Sequence, residues 1–283
     1  MYYEIHGRTD GAPTVVLSSG LRGATHYWAP HIPALARDFR DIAYDQHGTG
    51  RSGEAVPDGY SIGDMATELG ALLDEIGVAR CHFIGHARGG LIGLRLALDR
   101  PSIIDRLVLV NAWARTHPHT LRCFAIRRNL PLDTGPEAYV RAQPLFLYPA
   151  SWLADRQDWL LEQDAVGIAH FPPAETVLRR ISAVEVFDID VSTIEATTLV
   201  IATRDDILVP YSCSVVLADA PPNVELVLAD HDGHADTITD PAGFDAMVTR
   251  SRPRRDMSKA AGRMNVCRVA RPCQLCDIHG VST

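Results

Sequence analysis

One stretch of the sequence, residues 81–90, reads Cys81-His82-Phe83-Ile84-Gly85-His86-Ala87-Arg88-Gly89-Gly90. Residues 81–84 precede the glycine-rich residues 85–90, and the mostly apolar residues 91–98 follow, which predicts a buried strand that turns sharply into a helix. Glycines stand two residues before and two residues after Ala87, and only a residue without a side chain lets a strand and the next helix approach so closely. The stretch therefore predicts a strand, a tight turn at Ala87 and a helix.

Strand and helix patterns alternate on both sides of this turn. Apolar, β-branched runs predict strands at residues 2–5, 14–17, 40–44, 104–110, 198–202 and 224–228. Helices are predicted over an apolar stripe at 65–76 with Ser61 as its N-cap, around 211–220 and around 242–248. This alternation is typical of a mostly parallel, doubly wound α/β sheet.

Residues 112–190 interrupt the alternation, because they carry prolines, aromatic residues and polar helical stretches but no clear strand. We therefore predict a helical cap, residues 112–190, inserted into an α/β core of residues 1–111 and 191–248. Residues 249–283 lack core signals and are predicted to be a disordered tail.

The charge of the chain is unevenly distributed. The formal net charge is −8 over 283 residues, but residues 249–283 hold eight basic and two acidic side chains, which leaves a strongly acidic body. Such a body excludes a nucleic-acid groove, since those depend on clustered Lys and Arg. No apolar run is long enough to cross a membrane and the start lacks a signal-peptide pattern, so we expect a cytoplasmic protein whose six cysteines stay reduced.

The turn at Ala87 resembles a nucleophile elbow, with alanine where a hydrolase places its attacking serine. Asp206 follows the predicted strand at 198–202, and His234 follows the next strand. The order of nucleophile, acid and base is that of the α/β-hydrolase fold. Either residue alone is better explained as a turn former or a pocket histidine, but together they predict a shared catalytic site.

Two backbone amides are candidates for an oxyanion hole. Leu21 lies in the loop after the strand at 14–17, and Arg88 directly follows the elbow residue. Arg22, His86 and Trp113 are predicted to line the substrate pocket, where Arg22 or Arg88 would pair with a substrate carboxylate.

Three other motifs have simpler explanations. Residues 48–53 match Gly-x-Gly-x-x-Gly, but Pro57 and Gly59 follow, so no helix begins there to bind a pyrophosphate. The histidine pairs 117/119 and 231/234 lack a third ligand at zinc-like spacing. The cysteines at 267, 273 and 276 lack a matching second half and lie in the predicted tail. We therefore predict no cofactor and no metal.

Segments of both the core and the insertion resemble the carbamate/aminoacrylate hydrolase family of the Rut pyrimidine-utilisation pathway. The matching segments are Tyr44-Asp45-Gln46-His47-Gly48-Thr49-Gly50, the elbow with its alanine, Asn111-Ala112-Trp113, His119-Thr120-Leu121-Arg122-Cys123-Phe124, residues 142–150 and Leu178-Arg179-Arg180. The similarity runs from the first strand to about residue 248. Arg22 and Arg88 depart from the small or apolar residues expected at their positions, and the chain diverges after about residue 249.

The resemblance implies an α/β-hydrolase fold and the clearance of a small nitrogen compound, carbamate or 3-aminoacrylate, as ammonia. Because members of the family commonly carry alanine at the elbow, we expect water activation by His234 and Asp206 with an oxyanion hole. Two alternatives stay open: a non-catalytic protein that binds a small ligand, and an esterase-type hydrolase with a displaced nucleophile such as Ser19 or His86. The expected partner is a small-molecule substrate, and the sequence leaves the oligomeric state open between a monomer, a homodimer and other assemblies.

Overall fold

The computed structural model describes residues 1–53, 55–250 and 266–269. Its strands form one sheet, and every strand predicted from the sequence is present. The described strands are β1 (Tyr3–Gly7), β2 (Thr14–Ser18), β3 (Arg40–Tyr44), β4 (Cys81–His86), β5 (Ile104–Val110), β6 (Thr197–Thr203), β7 (Val224–Ala229) and β8 (Val266–Val269).

The sheet has the order β1-β3-β2-β4-β5-β6-β7-β8. β1 pairs antiparallel with β3, and the remaining pairs are parallel. The carboxyl ends of the parallel strands therefore meet at one edge of the sheet, where ligands bind in open α/β folds. The predicted fold class, a mostly parallel doubly wound sheet, is confirmed.

Helices cover both faces of the sheet and fill the insertion. Those of the core are α1 (Ile32–Leu35), α2 (Ile62–Glu75), α3 (Arg88–Asp99), α9 (Tyr211–Asp219), α10 (Asp236–Thr239) and α11 (Pro241–Arg250), with a short 3₁₀ helix at Thr25–Trp28. Between β5 and β6 lie α4 (Pro118–Asp133), α5 (Pro136–Leu147), α6 (Ala150–Ala154), α7 (Gln157–Ala169) and α8 (Ala174–Glu185). This run of helices lies within residues 112–190, and the division of the chain into core and cap stays a prediction.

The apolar core lies on both faces of the central strands. One cluster joins α2, α3 and the inner residues of α8 to β3, β4 and β5, with Leu69, Phe83 and Leu109 fully buried. A second cluster on the opposite face includes Leu17, Trp28 and Phe244. Because β4 is buried on both faces, the turn that follows it is held in place by packing from two sides.

The predicted disordered tail falls mostly outside the described residues. Residues 249–250 complete α11, and Val266–Val269 pair with β7 as a strand of the sheet, which differs from the expectation for these positions. The four strand residues become ordered because β7 offers them an open row of main-chain groups. Across the described part of the chain, helices long and apolar enough to span a membrane are absent; the cytoplasmic location stays a prediction.

Candidate active site

Ala87 stands at the turn from β4 into α3 with φ 48° and ψ −117°. This conformation is strained for a residue with a Cβ atom. A Cβ on Gly85 would lie 2.6 Å from the backbone of Gly89, and one on Gly89 would overlap the backbone of Ser18. Gly85 is therefore required by the close approach of β4 and α3, as the sequence predicts, and Gly89 by the close approach of α3 to the end of β2. The turn has the backbone of a nucleophile elbow.

His234 and Asp206 meet at the carboxyl edge of the sheet. Nδ1 of His234 lies 2.7 Å from Oδ2 of Asp206, and both side chains are buried. The other oxygen of Asp206 accepts hydrogen bonds of 2.8 Å from the amides of Leu208 and Val209. These bonds fix the carboxylate, which in turn orients the imidazole so that its Nε2 is the atom available for proton transfer.

The loop that carries His234 is held by polar groups at the carboxyl ends of three strands. The carbonyl oxygen of His234 lies 2.8 Å from Nε2 of His86 and accepts from Nδ2 of Asn111 at 2.9 Å. One residue earlier, Gly233 accepts from the hydroxyl of Thr203. These contacts set the position of His234 relative to the elbow, since His86 directly precedes Ala87 and Asn111 directly follows β5.

The two predicted oxyanion residues lie on either side of the elbow. Arg88 is the first residue of α3, whose first-turn amides have no partner within the helix and lie at the positive end of its dipole. The loop of Gly20 and Leu21 passes over Ala87. A Cβ on Gly20 would lie only 3.6 Å from the Cβ of Ala87. The arrangement suits stabilisation of a developing negative charge, and the role of the two amides stays a prediction.

The three predicted pocket residues occupy different environments. His86 is buried beside Ala87, its ring stacks on Tyr27 at 5.0 Å, and burial lowers its pKa to about 3, so the ring is neutral. Arg22 is exposed and reaches Gly167 of the cap helix α7. Trp113 is buried in the apolar core, and its indole N–H donates to Thr116 at 3.1 Å. Of the three, His86 is the one that the structure brings directly to the elbow.

The groups considered as displaced nucleophiles or ligands have other contacts. The hydroxyl of Ser19 donates to the carbonyl oxygen of Ala24 at 3.2 Å. His117 accepts from the amide of His119 and caps α4, and His119 lies 2.6 Å from the carbonyl oxygen of Ile207. Across the described ranges, no three His, Cys, Asp or Glu side chains come together as a metal site would require.

Sequence reasoning missed several residues that surround the site. Asn111 has φ 48°, and Asp236, whose pKa burial raises to about 8, lies beside it in the interior. Arg180 is buried although it belongs to the cap. A signal for Arg180 was present, because it falls on the same helical stripe as Val177, Ile181 and Val184, and a cation on a buried stripe is unusual.

Comparisons with known proteins agree with this geometry. Residues 13–144 match a family model described as alpha/beta hydrolase fold. A protein of Stutzerimonas stutzeri named "Putative carbamate hydrolase RutD" is 51% identical over 251 residues, which are 88% of this chain and 95% of the relative. A protein of the same name from Agrobacterium fabrum is 49% identical over 88% of this chain and 96% of its own length.

Solved structures show the same fold. The α/β hydrolase MGS-M2 from a Medee basin deep-sea metagenome library superimposes with a TM-score of 0.84 at 24% identity, covering 91% of this chain and 96% of its own. The enol-lactonase from Burkholderia xenovorans LB400 has a TM-score of 0.80 at 27% identity, with 88% and 95% covered. Because the chain is about half identical to these relatives over 88% of its length, it belongs to the RutD family of α/β hydrolases.

Proposed function

We propose that this protein hydrolyses a small C–N compound, carbamate or 3-aminoacrylate, in pyrimidine nitrogen degradation, by activating water with His234 and Asp206. The observation that carries the proposal is the 2.7 Å contact between these two side chains beside an elbow that has no nucleophile. The relatives' names supply the reaction class. Without a hydroxyl or thiol at position 87, an acyl-enzyme has no obvious origin, so direct attack by water is the simplest route.

The proposed reaction needs only water and these residues, and every proton and bond is accounted for. His234 Nε2 takes a proton from a water molecule near the Ala87 methyl group, and the water oxygen forms a bond to the carbon that carries nitrogen. The amides of Leu21 and Arg88 stabilise the negative charge that develops. His234 then returns the proton to nitrogen, the C–N bond breaks, and ammonia leaves.

The enclosure of the site suits a small substrate. The exposed fraction is 6% for Ala87, 4% for His86 and 3% for His234. Because these side chains are nearly closed to solvent, we expect the substrate to be small. We expect acceleration of a reaction that also proceeds spontaneously, since general-base help contributes typically about 10²–10⁴-fold.

The test compares ammonia release from freshly generated carbamate by wild type, His234→Ala and Asp206→Asn, after subtraction of the spontaneous rate. The enzyme-dependent rate should fall ~10²-fold or more in the first variant, because the base is lost. It should also fall in the second, because an amide no longer fixes the tautomer of the imidazole. His231→Ala, an exposed histidine of the same loop, is the matched control and should keep the wild-type rate.

Equal rates in wild type and His234→Ala would rule out the dyad. Saturable binding of the substrate without any turnover above the spontaneous rate would favour the alternative of a non-catalytic binding protein.

A further inference from the structure

Two arginine side chains are buried beside the elbow, one from the core and one from the cap. Arg88 of α3 is 1% exposed and Arg180 of α8 is 2% exposed. Transfer of a guanidinium from water into a protein interior is costly unless a carboxylate or other anion offsets its charge. The partners of these two groups therefore decide whether the pair is a structural ion pair or a site for something else.

The hydrogen bonds of both arginines end on neutral oxygens. Nη2 of Arg88 donates to the carbonyl oxygens of Gly20 and Leu21, each at 3.3 Å, and to Oε1 of Gln46. Nη2 of Arg180 donates to Leu21 O at 2.9 Å and to Gln46 Oε1 at 3.4 Å. Its Nη1 donates to the carbonyl oxygen of His47. Within the described part of the chain, no carboxylate forms an ion pair with either guanidinium.

Two nitrogen atoms of the Arg88 guanidinium also lack hydrogen-bond acceptors among the described residues. Its Nε and Nη1 are buried and have no hydrogen-bond partner among the described residues. The nearby ionisable groups are mostly tyrosines, Tyr44, Tyr60 and Tyr139, and the carboxylate of Glu68 is engaged by the hydroxyl of Tyr60. Burial lowers the pKa of Arg88 to about 10, and burial followed by repulsion from Arg88 lowers the pKa of Arg180. Two cations therefore share two neutral acceptors in the interior and repel each other.

One loop connects the arginine pair to the reacting position. The loop of Gly20 and Leu21, which accepts from both arginines, passes directly over Ala87. A planar group with two anionic oxygens matches the fork of N–H donors that a guanidinium presents. Such a ligand would also offset the mutual repulsion of the two cations, which neutral carbonyl oxygens do only in part.

We propose that Arg88 and Arg180, bridged by Gln46, form a subsite for the carboxylate of the substrate, so that the protein selects small monocarboxylates over uncharged analogues. This inference rests on the proposed function and deepens it by assigning the recognition of the substrate's charged end. Because Arg180 belongs to the cap and Arg88 to the core, a bound carboxylate draws the two parts together around the elbow.

The test measures binding of acrylate to the full chain by thermal shift and titration calorimetry, with acrylamide as the uncharged analogue of the same shape. The wild type should bind acrylate saturably, and its Tm should not respond to acrylamide. Arg180→Met and Arg88→Met should weaken acrylate binding at least tenfold. The acrylate affinity of Arg180→Lys should fall between those of the wild type and Arg180→Met, because lysine keeps the charge and loses the planar fork of donors.

Arg179→Met is the matched control. Arg179 lies on the same helix and also contacts the core, through the carbonyl oxygen of Val56 and an ion pair with Asp58 at 2.7 Å. If the role of Arg180 were only to fasten the cap, the two substitutions would act alike; a carboxylate subsite requires that Arg179→Met bind acrylate like the wild type.

Equal binding of acrylate and acrylamide by the wild type would overturn the subsite without the use of any variant. Wild-type affinity for acrylate in Arg180→Met would overturn it as well. His234→Ala separates this inference from the reaction itself. Acrylate binding retained in that variant, with turnover lost, supports both. Unchanged turnover would reject the dyad alone, and absent binding in the wild type would reject the subsite alone.

Discussion

At the scale of single residues, Ala87 has the backbone conformation of a nucleophile elbow but carries no nucleophilic side chain. The strained turn is present without the side chain that such a turn presents in hydrolases with a serine nucleophile. Ala87→Ser places a hydroxyl at that position, on the same side of the sheet as His234, the base of the proposed function, whose imidazole contacts Asp206. We expect this variant to release p-nitrophenol from p-nitrophenyl acetate ~10²-fold faster than the wild type, by general-base activation of the new hydroxyl.

The double variant Ala87→Ser, His234→Ala provides the control, and its ester hydrolysis should return to the wild-type level. Mass spectrometry of Ala87→Ser during turnover should show an acetyl group on the peptide that contains Ser at position 87. Ester hydrolysis no faster than that of the wild type would show that His234 does not reach this position.

Asp41 links the stability of the protein to pH. Both carboxylate oxygens are buried without a hydrogen-bond partner among the described residues, and burial raises the pKa of Asp41 from 3.8 to about 7. Between these values the folded protein holds a proton that the unfolded chain has lost. The free energy of unfolding therefore falls as the pH rises from about 4 to about 7 and does not recover above that range.

Asp41→Asn removes this dependence. The variant should match the wild type near pH 4 and exceed its free energy of unfolding by up to ~4 kcal/mol at pH 8, because a tenfold change in proton affinity corresponds to about 1.4 kcal/mol. Urea denaturation at both pH values measures the difference. The exposed Asp219→Asn should leave the pH profile unchanged; an Asp41→Asn profile parallel to that of the wild type would contradict the assignment.

At the scale of elements, α2 shows how a local signal fixes a boundary. The Ser61 hydroxyl accepts from the amide of Asp64 at 3.2 Å, and the Asp64 carboxylate accepts from the amide of Ser61 at 2.8 Å. Ser61→Ala should lower the free energy of unfolding by ~1 kcal/mol, because a first-turn amide loses its partner. Ser61→Thr, which keeps the hydroxyl, should stay close to the wild type in the same urea titration.

The elements that the sequence predicts are those with a local cause. The strand at 104–110, the N-cap at Ser61 and the elbow glycines follow from runs of residue types whose conformational preferences agree with the fold. Val266–Val269 could not be predicted, because four residues become a strand only where a distant neighbour supplies the hydrogen bonds.

In the candidate site, too, some residues could be predicted from local sequence and others could not. The order of Asp206 and His234 along the chain predicted their meeting, since each follows a parallel strand and the carboxyl ends of such strands share an edge. Arg180 was not assigned to the site, because its approach to Leu21 depends on how the cap folds over the core. The hydrogen bonds of Asn111 and Asp236 likewise depend on tertiary contacts that no local pattern encodes.

At the scale of the whole molecule, stability is distributed unevenly between core and cap. Strands β5 and β6 pair with each other inside the sheet, whereas α7 buries only Gly167 and contacts mainly α5 and α6. Few buried contacts lower the cost of local opening. We expect the amides of α7 to exchange with deuterium at least ~100-fold faster than those of β5 and β6, measured by mass spectrometry of peptic peptides.

Acrylate offers a control for this prediction. If a carboxylate draws cap and core together, exchange in α8 should slow in its presence while exchange in β5 stays constant. Equal exchange rates for α7 and β5 without any ligand would mean that cap and core open as one cooperative unit.

The left-handed turn at Ala87 also bears on what a single mutation can do to this protein. Alanine codons differ by one base from serine codons and by one base from glycine codons. Serine would supply a hydroxyl for His234, the proposed base, and glycine would relieve the backbone strain that the Cβ atom causes. The turn itself is held by Gly85, Gly89 and the packing around β4 in all three cases. The identity of residue 87 can therefore change to serine or to glycine in one genetic step while the turn around it is kept.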